Sequence, residues 1–145
     1  VEHRIELVRT LQEVRYYNDS IASSPTRTIA GLRSFAQKVI LIAGGYDKKI
    51  PFDELGHEIC RHVKIAVLTG HTAEKIREAI VASREYQEGY PEIIMASDFR
   101  NAVHTAHQKA KQGDVVMLSP ACASFDQFSN FAERGNVFKK LVHSL

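Results

Sequence analysis

Four short apolar runs punctuate the chain, and the stretches between them carry their apolar residues at helical spacing. The runs are KVILIAGG at 38–45, KIAVLTG at 64–70, EIIMAS at 92–97 and DVVMLS at 114–119. The first, short and continuous, predicts a strand buried on both faces, the second another buried strand, and the remaining two a third and a fourth strand. Between the first two, Phe52, Leu55, Ile59 and Val63 mark one helical stripe over 52–63. Ala73, Ile76, Ala79 and Ile80 mark a second, to about Arg84. Phe99, Ala102, Val103, Ala106 and Ala110 form a third, with Asp98 placed to cap its start and Gly113 to end it. Ser24-Pro25 predicts a further helix start, with serine as cap and proline in the first turn, over 25–36 with Ile29, Leu32 and Phe35 on one face. The segment from Asp126 to the end is predicted helical, with a break at Gly135.

The chain opens differently. VEHRIELVRTL and EVRYYNDS combine a weak period of two with β-branched and aromatic residues, predicting a hairpin with strands near 4–9 and 13–18. Alternating strand and helix over the remainder implies an α/β fold. Its sheet is mostly parallel with helices on both faces, and the N-terminal antiparallel hairpin joins that sheet.

Length and composition narrow this further. The 145 residues fit a single domain over 1–145. With 44% hydrophobic and 25% charged residues the chain has an ordinary globular composition, and a net charge of +2 does not point to nucleic acid as a partner. Cys60 and Cys122 form no CxxC spacing and so suggest neither a disulfide framework nor a zinc site. No apolar run reaches the roughly 18 residues of a membrane span. The expected compartment is the cytoplasm, with no membrane partner. The start at Val1, leading straight into strand-like sequence, suggests a piece of a longer protein.

In an open parallel sheet, ligands gather beyond the carboxyl ends of the strands. Four polar loops leave those ends: NDSIASSP at 18–25, GGYDKK at 44–49, TGHT at 69–72 and SPACAS at 119–124. Gly44-Gly45 lets backbone approach a ligand, and Lys48 follows with a positive charge. The pair reads either as an anion site or as a turn with a solvated lysine. Ser124, before a predicted helix start at Phe125-Asp126, is an N-cap, an anion donor or both. Asp19 could bind ribose hydroxyls or fix a turn, and Arg4 on its own evidence is a surface charge. Neither GxGxxG nor GxxxxGK[ST] occurs, so the chain carries no dinucleotide fingerprint and no P-loop. The histidines show no HxH or HxxxH pair, and His104 with His107 makes a poor metal site.

The run from Met117 to Phe128, MLSPACASFDQF, continuing through Asn130-Phe131, Arg134-Gly135 and Phe138, resembles a signature of the D-glutamate-adding branch of the Mur ligase family. His3-Arg4, Asn18-Asp19-Ser20 and Gly44-Gly45 with Lys48 and Phe52 resemble the same domain in the same order, so the likeness covers essentially the whole chain. The resemblance implies the C-terminal, Rossmann-like three-layer α/β/α domain of a three-domain enzyme. In that family ATP activates a nucleotide-sugar carboxylate as an acyl phosphate, and the amine of an amino acid then attacks it. The isolated domain would be inactive. By motif position, Ser23, Lys48, Ser124, Phe125 and Phe131 match contacts to D-glutamate, Phe125 and Phe131 by backbone amides. Arg4 and Asp19 match positions that reach ATP. ATP and Mg2+ would be held mainly by the central domain, and UDP-N-acetylmuramoyl-L-alanine by the two domains absent from this chain.

Two positions depart from the pattern: Ile21 stands where many relatives have lysine, and Ser23 where they have threonine. Ser23 keeps the hydroxyl, whereas Ile21 cannot replace a charge. The diaminopimelate-adding relatives usually show a DNPR motif, which is absent. A domain for another amino acid, a stand-alone Rossmann-like binding module and a pure interaction domain are the alternative readings.

Overall fold

The computed structural model describes all 145 residues. Six strands form one sheet: β1 (Glu6–Leu11), β2 (Val14–Asn18), β3 (Val39–Ala43), β4 (Val63–Leu68), β5 (Glu92–Met95) and β6 (Val115–Leu118). Their order is β1-β2-β6-β3-β4-β5. Only β1 and β2 pair antiparallel, as the opening hairpin, and every other neighbour is parallel. Five helices complete the fold: α1 (Pro25–Arg33), α2 (Asp53–His62), α3 (Ala73–Val81), α4 (Phe99–Lys109) and α5 (Phe131–His143).

Two-sided cover explains the continuous runs of β3, β4 and β6, whereas the run at 92–97 forms the edge strand β5, which is half-buried with Met95 exposed because it has a neighbour on one side only. All five residues of β3 are buried. Val39, Leu41 and Ala43 join the core formed with Ile29 and Leu32 of α1, Leu55 and Ile59 of α2, and Ile76 and Ile80 of α3. Ile40 and Ile42 turn the other way, into a second core with Phe99 and Val103 of α4 and Phe138 and Val142 of α5. Side chains alternate across a strand, so a strand covered on both faces needs apolar residues at every position. The three-layer α/β/α arrangement follows.

The connection through α4 has a functional consequence. The chain leaves the edge strand β5, crosses α4 and returns as β6 between β2 and β3. The loop that follows β6 therefore emerges beside the loops that follow β2 and β3.

Several local expectations change. The final helix begins at Phe131, not at Asp126, because Asn130 caps it by accepting from the Glu133 amide at 2.8 Å. Residues 124–130 form turns instead. Gly135 does not break α5. It sits inside the helix because a Cβ there would lie 2.2 Å from His3 Nδ1. Ser24 has an extended backbone at the cap position of α1, but its side chain makes no capping bond. Asp98 does cap α4, accepting from the Asn101 amide at 2.8 Å. Gly113 takes a left-handed conformation, φ 90°, in the turn beyond α4 rather than at its end.

Gly44 ends β3 with φ 113°, and a Cβ on it would lie 1.8 Å from the Thr69 carbonyl oxygen. Gly89 also has positive φ, 84°, but nothing lies within 4 Å of its virtual Cβ. Backbone strain without a clash costs about 1–2 kcal/mol, whereas a clash with fixed backbone adds an overpacking penalty of similar or larger size. Gly44→Ala is expected to cost about 3 kcal/mol or more in urea denaturation, and Gly89→Ala about 1–2 kcal/mol. Equal losses would contradict this packing of the 44–45 turn against β4.

Candidate functional site

The four polar loops meet along the carboxyl edge of the sheet, and backbone hydrogen bonds lace them together. The Asp19 amide donates to Leu118 O at 2.7 Å and the Ala121 amide to Ala22 O at 2.9 Å, joining the first loop to the last. The Gly44 amide donates to Pro120 O and the Tyr46 amide to Ala123 O, each at 2.9 Å, joining the second to the last. The Gly45 amide donates to Thr72 Oγ1 at 3.0 Å, and the Thr72 amide returns to Gly45 O at 3.1 Å. This close approach requires Gly45 and Gly70. A Cβ on Gly45 would lie 2.6 Å from Ala123 O, and one on Gly70 2.9 Å from the Gly45 Cα.

A buried cation holds the arrangement from beneath. Arg134, in α5, is 2% exposed. Its Nε donates to Ser20 Oγ at 3.0 Å, Nη2 to Ser20 O at 2.8 Å and Nη1 to Cys122 O at 2.9 Å. Ser20 Oγ in turn donates to Phe131 O at 2.7 Å. No carboxylate pairs with this guanidinium, and burial pulls its pKa down to about 10. Cys122 lies beside it, with its sulfur 3.1 Å from Thr72 Oγ1. Burial pushes its thiol up to about 11. A thiol protonated at neutral pH is a poor nucleophile, so Cys122 belongs to the packing of the loop.

The residues that the sequence singled out divide into two groups along this edge. Lys48 is exposed on the 44–49 turn and makes no ion pair, because Asp47 is taken by Lys49 at 3.6 Å and by Lys75. Ser124 is 3% exposed, and its hydroxyl has no hydrogen-bond partner in the chain. The backbone N–H groups of Phe125 and Phe131 likewise have none. The Phe125 ring is exposed and meets the Tyr46 ring edge-on at 5.9 Å, whereas the Phe131 ring packs edge-on against His3 at the same centroid distance. Ser23 is half-buried in the turn after Ala22. The expected helix start at Ser124 is absent. The donors there come from a single turn, in which the Gln127 and Phe128 amides close on Ser124 O.

Arg4 and Asp19 form the second group. Asp19 is buried, its Oδ1 accepting from the Ile5 amide at 3.1 Å and its Oδ2 from Ser119 Oγ at 2.8 Å. Burial raises its pKa, opposed by those hydrogen bonds and by Arg4 and Arg27. It thus fixes the turn. Its carboxylate also ends on the wall of a concavity of about 310 Å3 shared with Arg4, Ile21 and Arg27. Arg4 stands between two strained residues, His3 at φ 65° and Ile5 at φ 43°. Positive φ is costly at a β-branched residue, and such strain persists only where its surroundings enforce it. Here the Ile5–Asp19 bond and the Ile21 amide, which donates to His3 O at 3.1 Å, do so.

Elsewhere, a concavity of about 640 Å3 over α1 and α2 contains none of the loop residues. Its charges are matched internally, with Glu58 paired to Arg33 at 2.7 Å and to Arg61 at 3.1 Å. No group of three potential metal ligands occurs, and His107 instead bonds the Tyr16 hydroxyl at 2.8 Å. No helix is long and apolar enough to cross a membrane. Sequence reasoning assigned no role to Arg134, Thr72 or Arg27. The only signal for Arg134 was its place in the SPACAS-to-Phe138 signature.

A family described as Mur ligase, glutamate ligase domain, matches residues 3–122. The chain is 57% identical over 147 residues to the UDP-N-acetylmuramoylalanine--D-glutamate ligase of Acetivibrio thermocellus, and 55% identical over 145 residues to that of Clostridium kluyveri. In both cases the match covers 100% of this chain and 32% of the relative, so the chain spans about a third of the length of these curated relatives. Among solved structures it resembles a domain of a Haemophilus ducreyi protein assigned as a UDP-N-acetylmuramate:L-alanyl-gamma-D-glutamyl-meso-diaminopimelate ligase. The TM-score is 0.63 at 19% identity, over 97% of this chain and 98% of that one.

The position of Asp19 sets a stability expectation. Its folded-state pKa is raised by burial, so ionisation costs stability as the pH rises above the unfolded value of 3.8, and the whole penalty is present once the pH has passed the folded-state value. Asp19→Asn is therefore expected to melt at the same temperature as the parent or higher at pH 7. Its advantage should shrink as the pH falls from the raised folded-state value toward 3.8 and be gone below it, where Asp19 is protonated in both states. A variant clearly less stable than the parent at pH 7, compared by calorimetry, would contradict this reading of the buried carboxylate.

Proposed function

The chain belongs to the Mur ligase family, matching its glutamate ligase domain, and on that premise we propose that it is the C-terminal, amino-acid-binding domain of an ATP-dependent ligase that joins D-glutamate to UDP-N-acetylmuramoyl-L-alanine. The observation that carries the proposal is a set of unused donors on one edge. The free Lys48 ammonium, the unpartnered hydroxyl of Ser124 and the free amides of Phe125 and Phe131 lie on loops bonded to one another. Neighbouring Ser23 adds a second hydroxyl. A dicarboxylic amino acid needs such a set, one cation with several neutral donors, and charge-assisted hydrogen bonds make each contact strong.

In this reading ATP first phosphorylates the carboxylate of the nucleotide-sugar substrate. The D-glutamate amine attacks the acyl carbon, an amide bond forms and inorganic phosphate leaves with the bonding pair of the broken acyl–oxygen bond. The domain contributes position. It holds the carboxylates so that the amine faces the acyl phosphate, which lowers the entropic part of the barrier. Arg4 and Asp19 serve the nucleotide side of the same edge. The domain offers no cluster of metal ligands, so Mg2+ and most of the ATP contacts are assigned to the remainder of the protein. The same holds for UDP-N-acetylmuramoyl-L-alanine. The reaction belongs in the cytoplasm, where peptidoglycan precursors are assembled, and residues 1–145 act as one domain of the larger enzyme.

The test uses the full-length ligase. Loss of a charge-assisted contact of roughly 1.5–3 kcal/mol corresponds to about 10- to 150-fold in catalytic efficiency. Lys48→Ala and Ser124→Ala should each lower kcat/KM for D-glutamate within that range. Acyl-phosphate formation, followed by ATP–ADP exchange or by trapping with hydroxylamine, should change less. A folded Lys48→Ala enzyme with unaltered kcat/KM for D-glutamate would refute the role given to the 44–49 turn.

A further inference from the structure

The amino end of the sheet, opposite the loops described above, carries a separate concentration of positive charge. A concavity of about 370 Å3 lies there, between the starts of β4 and β5 and the end of α4. Lys38, Lys64, Lys109 and Lys111 line it, with Glu92 as the one acid. Lys64 reaches Asp114 at 2.9 Å, and Lys109 reaches Glu92 at 3.0 Å. Lys38 and Lys111 are exposed, and neither ammonium group has a partner. The formal net charge of the chain is +2, so the excess carried by these two lysines is as large as that of the whole molecule.

Folding accounts for part of this cluster. Lysine at the end of α4 complements the helix dipole, and Lys109 has its ion pair there. Lys38 has no such reason. It precedes β3 and converges with three other ammonium groups without a carboxylate of its own. Like charges gathered in this way oppose folding, and an anion placed among them would remove the cost.

The other walls indicate what that anion carries. Ile65 and Pro91 are buried and contribute apolar surface. Tyr90 is 73% exposed. Its backbone is nevertheless fixed, since its amide donates to Gln87 O at 2.7 Å and its carbonyl accepts from the Gln87 amide at 3.4 Å. An exposed ring on a fixed turn offers a face on which a base can stack. An extended acidic surface fits less well, because Glu13 and Glu88 stand exposed at the same end of the domain. A compact ligand with both a ring and a polyanion matches the whole lining.

We propose that this concavity is a nucleoside diphosphate site separate from the reaction, in which Lys38 and Lys111 hold the phosphates and Tyr90 stacks on the base. Charge-assisted bonds from two mobile ammonium groups suit a diphosphate. Lys38, Lys64 and Glu92 stand at strand starts, whereas Lys48 and Ser124 stand beyond strand ends, so the length of the sheet separates this site from the substrate edge.

Equilibrium dialysis of the full-length enzyme provides the test. Its reaction sites are first filled with a non-hydrolysable ATP analogue, Mg2+ and UDP-N-acetylmuramoyl-L-alanine at saturation, and labelled UDP or ADP is then added. One further nucleoside diphosphate should bind per enzyme. Binding of either supports the proposal, and the comparison identifies the base. The double variant Lys38→Gln/Lys111→Gln should bind about 10-fold more weakly or worse, and Tyr90→Ala about 5-fold more weakly or worse. Both should keep the parent's kcat/KM for D-glutamate, and the double variant without nucleotide should melt at the parent's temperature or higher. Absence of further binding overturns the proposal. So does binding that the double variant retains, which would lie at another site. Inorganic pyrophosphate binding as tightly as UDP would leave Tyr90 without a role, and uridine binding as tightly would leave the lysines without one. Either result overturns the proposal, as does a double variant that melts well below the parent, which would make the lysines structural.

Discussion

Arg134 is the contact on which the carboxyl edge of this domain depends. A guanidinium placed 2% exposed without a carboxylate gives up its hydration for three hydrogen bonds to neutral oxygens. That exchange is poor for stability alone, as its lowered pKa records. Its value lies in geometry. One rigid planar group fixes Ser20 on the loop after β2, Cys122 on the loop after β6 and, through Ser20 Oγ, the start of α5 at Phe131. A lysine has only a point charge and could not span the same three acceptors.

With that clamp in place, the edge divides into two halves. On one side the 44–49 and 119–125 loops close on each other through Gly45, Tyr46 and Ala123, leaving Lys48 and Ser124 with free donors. On the other, the strained segment around Arg4 is bonded to the Asp19–Ile21 turn, beside the concavity that Arg27 shares. Both halves use residues that fold stability does not favour: an unpaired lysine, a buried carboxylate, positive φ at isoleucine and arginine at a helix start. Stability is commonly sacrificed in this way at functional sites. The halves share the loop at 18–25, which Arg134 ties to the loop after β6 through Ser20 and Cys122.

The sequence made the architecture legible because burial on both faces leaves a continuous apolar run that few other structures produce. The runs at 38–45, 64–70, 92–97 and 114–119 all became parallel strands, but the third is a half-buried edge strand, a place its apolar run does not distinguish from an interior one. The order of the strands was not legible, since nothing in the run at 114–119 tells that it inserts between β2 and β3. The start of α5 was misplaced for a local reason. Phe125, Asp126 and Phe128 are spaced as in a helix, but the amides after Ser124 close one turn on its carbonyl and Asn130 caps the helix later. Gly135 suggested a break because glycine's usual cost in a helix is visible in sequence, while the His3 ring that demands it is not. Of the site, the loops and Lys48 could be read from glycines and charge. The clamp made by Arg134 depends on contacts between residues far apart in the chain, which no spacing encodes.

The central claim is that the loops at 18–25, 44–49 and 119–124, bonded to one another, form a single D-glutamate-binding edge with the start of α5. Amide hydrogen exchange of the full-length enzyme, with ATP analogue and UDP-N-acetylmuramoyl-L-alanine present, tests it most directly when D-glutamate is added and L-glutamate serves as control. The account predicts slowed exchange on D-glutamate addition at residues 18–25, 44–49 and 119–131, with the amides of Phe125 and Phe131 among those protected and the α1–α2 face unaffected. Protection confined to other regions, or identical with the two enantiomers, would contradict it.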